Sequence, residues 1–521
     1  MKKILIAVAV ILNCSMIMAQ TEFDAFKVVQ TDINGTARYM SMAGAFGALG
    51  GDASAIKDNP AGLGIYRSSE FSGTVNLLSQ SSTSKWNSVN GTGDLYNTNL
   101  NSLSLVFASP TWRNESGTQG LLSSNFSFAY NRLKNINRSI NIKSGSAISS
   151  MTDYMAYFTN DIPKNDLTYI ENSYEPFDNN NIPWISILAK EGELMNESVD
   201  NNGASSWSSI LGSTESVTPH YTVYEKGYVD EYSMGWAGNF SNIFYFGTTL
   251  NLQYINYSSV SNYSESFAAN GGLNLNNEIT TRGAGVNLKV GAIFSPLDFL
   301  RIGLAIHTPT IYALSDNYDA NLDYDTTISG YIKTPGDGSD YQIQSPMKIN
   351  LSAAFLAGKK GLISAEYNYD RYSTTRLRSE TGDASEFEDE NSTMGEVLND
   401  VRTIKIGGEY RLSDNFSLRA GYANSSAGNK ADAAKLMRYN TVRTDTEYYI
   451  NNGINYLTAG FGYHESNWFV DFAYMNKIVD ETFYAYNTNS LVTLNPSLTA
   501  VNPASIKTSN NNMVVTLGFK F

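Results

Sequence analysis

Cysteine occurs once in 521 residues, at Cys14, and histidine only at His220, His307 and His464. A chain with no thiol beyond residue 14 builds no disulfide framework and offers no thiolate nucleophile. Three scattered histidines supply neither a Ser-His pair nor a His-rich metal site, so no catalytic residue, metal or cofactor is expected and the chain does not read as an enzyme. Proline is scarce, at 12 residues, which leaves extended runs uninterrupted. Past residue 19 there is no apolar run long enough for a membrane helix. Basic residues number 36 against 50 acidic ones, which argues against nucleic acid as a partner.

The chain begins with Lys2 and Lys3, an apolar run from Ile4 to Ile11, and small residues up to Ala19. This order predicts a secretory signal peptide over 1–19, with the mature chain starting near Gln20. Asn13 stands where a lipoprotein signal calls for a small residue ahead of the lipidated cysteine, so the cut after Ala19 is preferred.

What the chain has in quantity is Tyr (34), Phe (24) and Gly (41), with a mean hydropathy of −0.26. Apolar and polar residues interleave with period two. Over Leu300 to Thr308 the side with Arg301 and His307 opposes Leu300, Ile302, Leu304 and Ile306. Over Thr403 to Leu412 the side with Lys405, Glu409 and Arg411 opposes Ile404, Ile406, Tyr410 and Leu412. The last strand sets Met513, Val515, Leu517, Phe519 and Phe521 on one side. A charge facing the membrane midplane costs a few kcal/mol, so an apolar face free of charge beside a polar one fits lipid outside and a wet lumen inside.

Such segments occur at about 70–80, 100–109, 122–132, 228–240, 243–258, 280–294, 299–312, 346–357, 362–374, 401–412, 415–426, 453–463, 467–483 and 507–521. They predict an all-β fold: an antiparallel transmembrane barrel of 14 strands over 70–521. Tight turns alternate with long connections, notably 133–227, 313–345, 375–400 and 427–452, as short periplasmic turns alternate with external loops. Short helices are expected near Met151–Phe158 and Trp184–Lys190 inside 133–227. The acidic run Glu380 to Glu390 lacks the ligand spacing of a calcium loop and is expected to be solvated. Inward charges such as Lys289, Lys348, Glu366, Arg419 and Asp471 are expected to pair across the lumen.

Residues 20–69 do not alternate. They crowd Gly and Ala around Gly35, Arg38, Gly44 and Phe46, and carry Asn59-Pro60-Ala61-Gly62, a rigid turn with a permissive exit. A barrel of this size has a lumen too wide for wall side chains to fill, so this segment is expected to plug it.

These residues resemble the hatch of the FadL-type outer-membrane transporters of long-chain fatty acids and aromatic hydrocarbons. Arg301 to Thr310, Gly407 to Tyr410, Leu418 to Tyr422 and Gly460 to Tyr463 look similar to later stretches of the same family. The resemblance implies a gating hatch carried by Gly35, Arg38, Gly44, Phe46, Asn59, Pro60, Ala61 and Gly62. It also implies passive uptake of hydrophobic small molecules across a Gram-negative outer membrane. Arg301, His307, Lys405 and Glu409 are the polar lumen candidates. Lipid and lipopolysaccharide would surround the wall, and the strand ending in Phe521 would be read by the barrel-assembly machinery. Lys57-Asp58 departs from the bulky aromatic that many members carry before the Asn. The family's third strand is kinked, whereas Asn125 to Tyr130 holds neither Gly nor Pro and predicts a regular strand. Two rival functions are a polar-solute porin, for which a plug makes little sense, and a receptor or adhesin, for example for a haem-like ligand, that uses the barrel as a mount for loop 133–227.

Overall fold

The computed structural model describes residues 20–111, 119–437, 441–487 and 500–521, so the expected signal peptide lies outside them. Fourteen antiparallel wall strands close into a barrel. The first seven are Glu70–Trp86, Val89–Pro110, Leu121–Asn135, Val217–Phe240, Phe244–Phe267, Gly272–Leu297 and a broken seventh, Leu300–His307 with Ile311–Asp325. The eighth is also broken, Asp337–Gln344 with Lys348–Ala357. Gly361–Asp370, Val401–Arg411, Phe416–Ser425, Tyr448–His464, Trp468–Tyr484 and Ala504–Lys520 complete the ring. The last strand pairs with the first from Lys520↔Glu70 to Ser505↔Lys85, and Phe521 exchanges backbone hydrogen bonds with Ser69. Such closure leaves no sheet edge exposed at that seam.

Polarity is inverted relative to a soluble protein, as the alternation predicted. Leu304, Ile406, Leu457 and Met513 face outward and exposed, while Glu366, Lys405, Arg419 and Asp471 are buried inside. Several strands run far longer than expected. The fourth and fifth have 24 residues and the sixth 26, against the roughly 9–11 that cross a bilayer. The expected loops at 81–99 and 259–279 are instead hairpins, turning at Asn87-Ser88 and at 268–271. Above the lipid the pattern reverses. On the fifth and sixth strands Tyr263, Phe267, Leu273 and Leu275 point inward, into a core shared with Met151, Tyr154, Trp184, Ile187 and Leu188. This core sits under loop 133–227, whose two helices, α3 (Met151–Thr159) and α4 (Trp184–Glu191), form close to where they were expected.

The single strand expected over 299–312 is interrupted at Thr308-Pro309-Thr310, and the eighth at Ser345-Pro346-Met347. Proline donates no ladder bond. The two breaks lie side by side and repair each other: Thr310 donates its backbone N–H to Ser345 Oγ at 2.8 Å, and Ser345 donates its own to Thr310 O at 2.9 Å.

The third strand is regular over Asn125 to Tyr130, as expected, and turns irregular beyond it. It pairs with the second only from Pro110↔Ser123 to Ser102↔Asn131, although its other edge stays paired with the fourth to Asn135↔Tyr228. Leu133 is an extra residue between Arg132, opposite Asp230, and Lys134, opposite Val229. Such a bulge bends a strand without needing Gly or Pro. Beyond it, Arg138–Lys143 pairs on with the fourth strand but runs inside the first hairpin. There Ser82 and Ser84 each donate to its carbonyls at 2.8 Å. Gly91 is required beneath it, since a Cβ would lie 2.2 Å from Asn141 O.

The acidic stretch at 380–390 keeps Glu380, Asp383, Glu386, Glu388 and Asp389 exposed, as expected, and buries only Glu390 among its carboxylates. What was not expected is that it leads into α5 (Glu388–Val397), which with the preceding Phe387 buries Met394 and Val397 against the N-terminal segment.

Candidate functional site

Residues 20–66 enter the lumen as α1 (Glu22–Val29), α2 (Ala37–Ser41) and two 3-10 turns, Ala53–Lys57 and Pro60–Ile65. Each begins on a side-chain cap, in order Thr21, Thr36, Asp52 and Asn59, which satisfies amide donors that so short a helix cannot. Small residues let the segment fold back on itself. Gly50, at φ +60, abuts Gly62 so closely that a Cβ on it would meet the Gly62 Cα at 2.7 Å.

Each of the four polar lumen candidates, Arg301, His307, Lys405 and Glu409, touches this segment. Arg38 donates to Glu409 at 2.9 Å and to Gly51 O at 3.1 Å. Glu409 also takes Arg419 at 2.6 Å, and Arg419 holds Asp471 at 2.5 Å. Lys405 pairs with Glu366 at 2.7 Å and lies 3.8 Å from Asp58. Arg301 donates to Leu49 O at 2.8 Å, and His307 Nε2 lies 2.8 Å from Asp58 O. Asn59 spends its amide on the turn: Oδ1 accepts from Ala61 N at 3.1 Å, and Nδ2 donates to Gly47 O at 2.6 Å and to Ala292 O of the sixth strand at 3.3 Å. Pro60 and Ala61 press on Gly247, where no Cβ fits. Gly44 sits at φ +72 under Tyr39, and Phe46 packs beside both Tyr39 and the Arg38 guanidinium.

Lys57-Asp58 forms the centre of a second ionic knot. Asp58 bonds Tyr39 OH and sits 3.0 Å from Lys57, whose ammonium also reaches Tyr39 OH at 2.9 Å. Burial would raise the Asp58 carboxyl, but Lys57 and Lys405 outweigh it and hold it below the usual carboxylate range. Burial pulls the Lys57 ammonium down, with Asp58 opposing. A polar cavity of about 110 Å³ lies against this knot, lined also by Lys289, His307 and Lys348.

Other anchors went unseen in the sequence. Asn101 Nδ2 donates to Gly35 O at 2.8 Å, and Asn125 Nδ2 donates to Leu63 O at 2.9 Å. Thr516 Oγ1 accepts from Ala37 N at 2.7 Å, and Asp32 pairs with Lys477 at 2.6 Å. The carbonyl of the bulged Leu133 accepts from Asp32 N at 3.0 Å, so the bend in the wall is itself a contact for the lumen segment. Inward Asn and Thr are ordinary in a wet barrel, and only the alternation marked their side.

No family model and no curated protein matches the chain. Solved structures do. A FadL homologue of Pseudomonas aeruginosa aligns with 94% of this chain and 99% of its own, with TM-score 0.52 and 12% identity. A variant of the monoaromatic hydrocarbon channel TodX, deleted in S2 and S3, aligns with 94% of this chain and 99% of its own, with TM-score 0.50 and 11% identity. The chain therefore has the FadL-like fold.

Proposed function

We propose that this barrel carries small hydrophobic molecules passively across a Gram-negative outer membrane, with residues 20–69 as a hatch that shifts to let them through. The observation that carries the reading is a lumen blocked by a segment held through reversible contacts, beside a wall whose second and third strands part at Ser102↔Asn131. A permanent plug would need no such parting, and an open porin would need no plug. Cargo enters under the external loops, displaces the hatch around Asn59 to Gly62, and leaves sideways where the third strand turns inward. The fold shared with a FadL homologue and a hydrocarbon channel supports this reading. The outward apolar wall fits lipid and lipopolysaccharide, and the final strand closing on Ser69 fits delivery by the barrel-assembly machinery.

Uptake of labelled oleate and labelled toluene into intact cells with and without the gene tests this reading. Gene-dependent entry of either supports it. A large, steady open-channel current in a planar bilayer would instead mark a polar-solute porin.

A further inference from the structure

Where the ninth and tenth strands rise out of the apolar band, their outer side carries four arginines. Arg371, Arg376 and Arg378 lie along the continuation of the ninth strand and Arg402 at the start of the tenth. Tyr369 pairs with Arg402 and Asp370 with Val401, so Arg371 and Arg402 stand diagonally across the two strands. Diagonal neighbours lie about 7–8 Å apart, within reach of long side chains. Both arginines are exposed. Asp400 is the one carboxylate within salt-bridge distance of any of the four among the described residues, at 3.9 Å from Arg371. Its oxygens serve neutral donors instead: Tyr369 OH donates to Oδ2 at 2.7 Å and Ser373 Oγ to Oδ1 at 2.5 Å. Arg376 and Arg378 likewise hold neutral acceptors, Thr375 O at 2.8 Å and Gln344 Oε1 at 2.8 Å.

Beneath them the outer wall has an apolar hollow of about 1380 Å³. Its floor is Gly408, Ala420 and Ala459, which stand side by side in register. Ile406, Tyr422 and Leu457 border it on the side toward the arginines, and Tyr410, Leu418 and Phe461 on the other; all six are exposed. Down the tenth strand Arg402, Ile404 and Ile406 share the outer side, so the arginines and the edge of the hollow are about 14 Å apart along a tilted strand. That fits within one leaflet, half of a hydrocarbon core roughly 30 Å thick. A free phosphate would use the arginines and not the hollow, and a neutral lipid the hollow and not the arginines. An acyl lipid with a phosphate head uses both, since the guanidinium fork matches phosphate oxygens.

Resting on the outer-membrane placement in the reading above, with the cap outside, we propose that this face retains a phosphorylated acyl lipid of the outer leaflet, of the lipid A class. One phosphate sits between Arg371 and Arg402, and an acyl chain lies in the hollow over Gly408, Ala420 and Ala459.

Lipid A and the same lipid stripped of its phosphates make the test. Native mass spectrometry of the full-length barrel released from detergent micelles should show the phosphorylated form retained at about tenfold lower concentration. In the double variant Arg371→Gln with Arg402→Gln that preference should vanish, both forms then binding as the stripped lipid does. Ala420→Trp, which fills the hollow without touching the arginines, should weaken both forms and keep the preference. The heat-modifiable gel shift reports that each variant is folded. Equal retention of the two lipids by the parent, a preference that survives loss of both arginines, or an Ala420→Trp variant that binds like the parent overturns the proposal. So does inorganic phosphate that displaces the lipid at equal concentration. Uptake keeps the two claims apart. Gene-dependent entry of oleate or toluene without a lipid preference leaves transport standing and removes the lipid site, and the converse result removes transport and leaves the site.

Discussion

Arg38 and Arg419 grip Glu409 from opposite sides, one from the lumen segment and one from the wall. Removing the shared carboxylate leaves two guanidinium groups facing each other in a largely buried place, and breaking one partner of such a set costs about 3 kcal/mol or more. Glu409→Gln should therefore loosen the hatch without dissolving the barrel. Planar-bilayer recordings are expected to show current bursts that the parent protein lacks, while the heat-modifiable gel shift of the folded barrel persists. Asp58 sets a pH limit of a different kind. A carboxyl held low when folded lends stability above its unfolded pKa, near 4, and loses it only as pH falls through the still lower folded value. Bilayer current should thus stay closed from neutral pH down to about 4 and open only in stronger acid; opening between pH 7 and 5 would contradict the assignment. Arg301, His307, Lys405 and Glu409 were legible as inward residues because charge shuns lipid. Their partners were not, since Arg38 and Glu409 lie 371 positions apart and period-two alternation carries no information across such a gap.

Strands were legible where lipid is. Along the fifth strand Leu250, Leu252 and Tyr254 face out and Thr249, Asn251 and Gln253 face in, but from Ile255 upward Ile255, Tyr257, Tyr263 and Phe267 join the inner side beside Ser259, Ser261 and Glu265, while the outer side turns polar except at Val260. The reversal marks where the wall leaves the bilayer, and it cancels the signal on which the strand ends were read. That is why 81–99 and 259–279 look like loops in the sequence. Breaks at Pro309 and Pro346 were visible as residues, yet their mutual repair by Ser345 and Thr310 depends on pairing between strands. The bulge at Leu133 had no residue signal at all. α5 was hidden for another reason: its acidic first turn drew the reading toward solvent, whereas Phe387, Met394 and Val397 seat it on α1. Met394→Asp puts an unpaired charge at a fully buried position and should unseat this helix. Limited proteolysis is then expected to cut within 375–400 in the variant while the parent resists under the same conditions.

At the scale of the whole molecule, the barrel follows from a supply argument, too many apolar faces for a soluble core and too few charges on them for water, its strand number from the count of alternating segments, and the expectation of a lumen segment from a bore too wide for wall side chains to fill. An outer wall of Leu, Ile, Phe and Tyr should keep the purified chain monodisperse only in detergent or lipid. Light scattering that finds a stable monomer in plain buffer would contradict that wall. Beyond the apolar band the chain forms a folded cap with its own apolar core, which the sequence showed only as a long loop with two helices.

The central claim is that the lumen segment moves. The described chain holds no cysteine, so a tether can be placed at will. A Cβ on Gly47 of the hatch would lie 2.6 Å from Ser352 Oγ of the eighth strand, within disulfide reach. Uptake of labelled substrate into cells carrying Gly47→Cys with Ser352→Cys should stop under oxidation and return with reductant, while each single variant transports in both conditions. Uptake that continues with the tether fully oxidised would mean that cargo crosses past a stationary segment, and the account would fail.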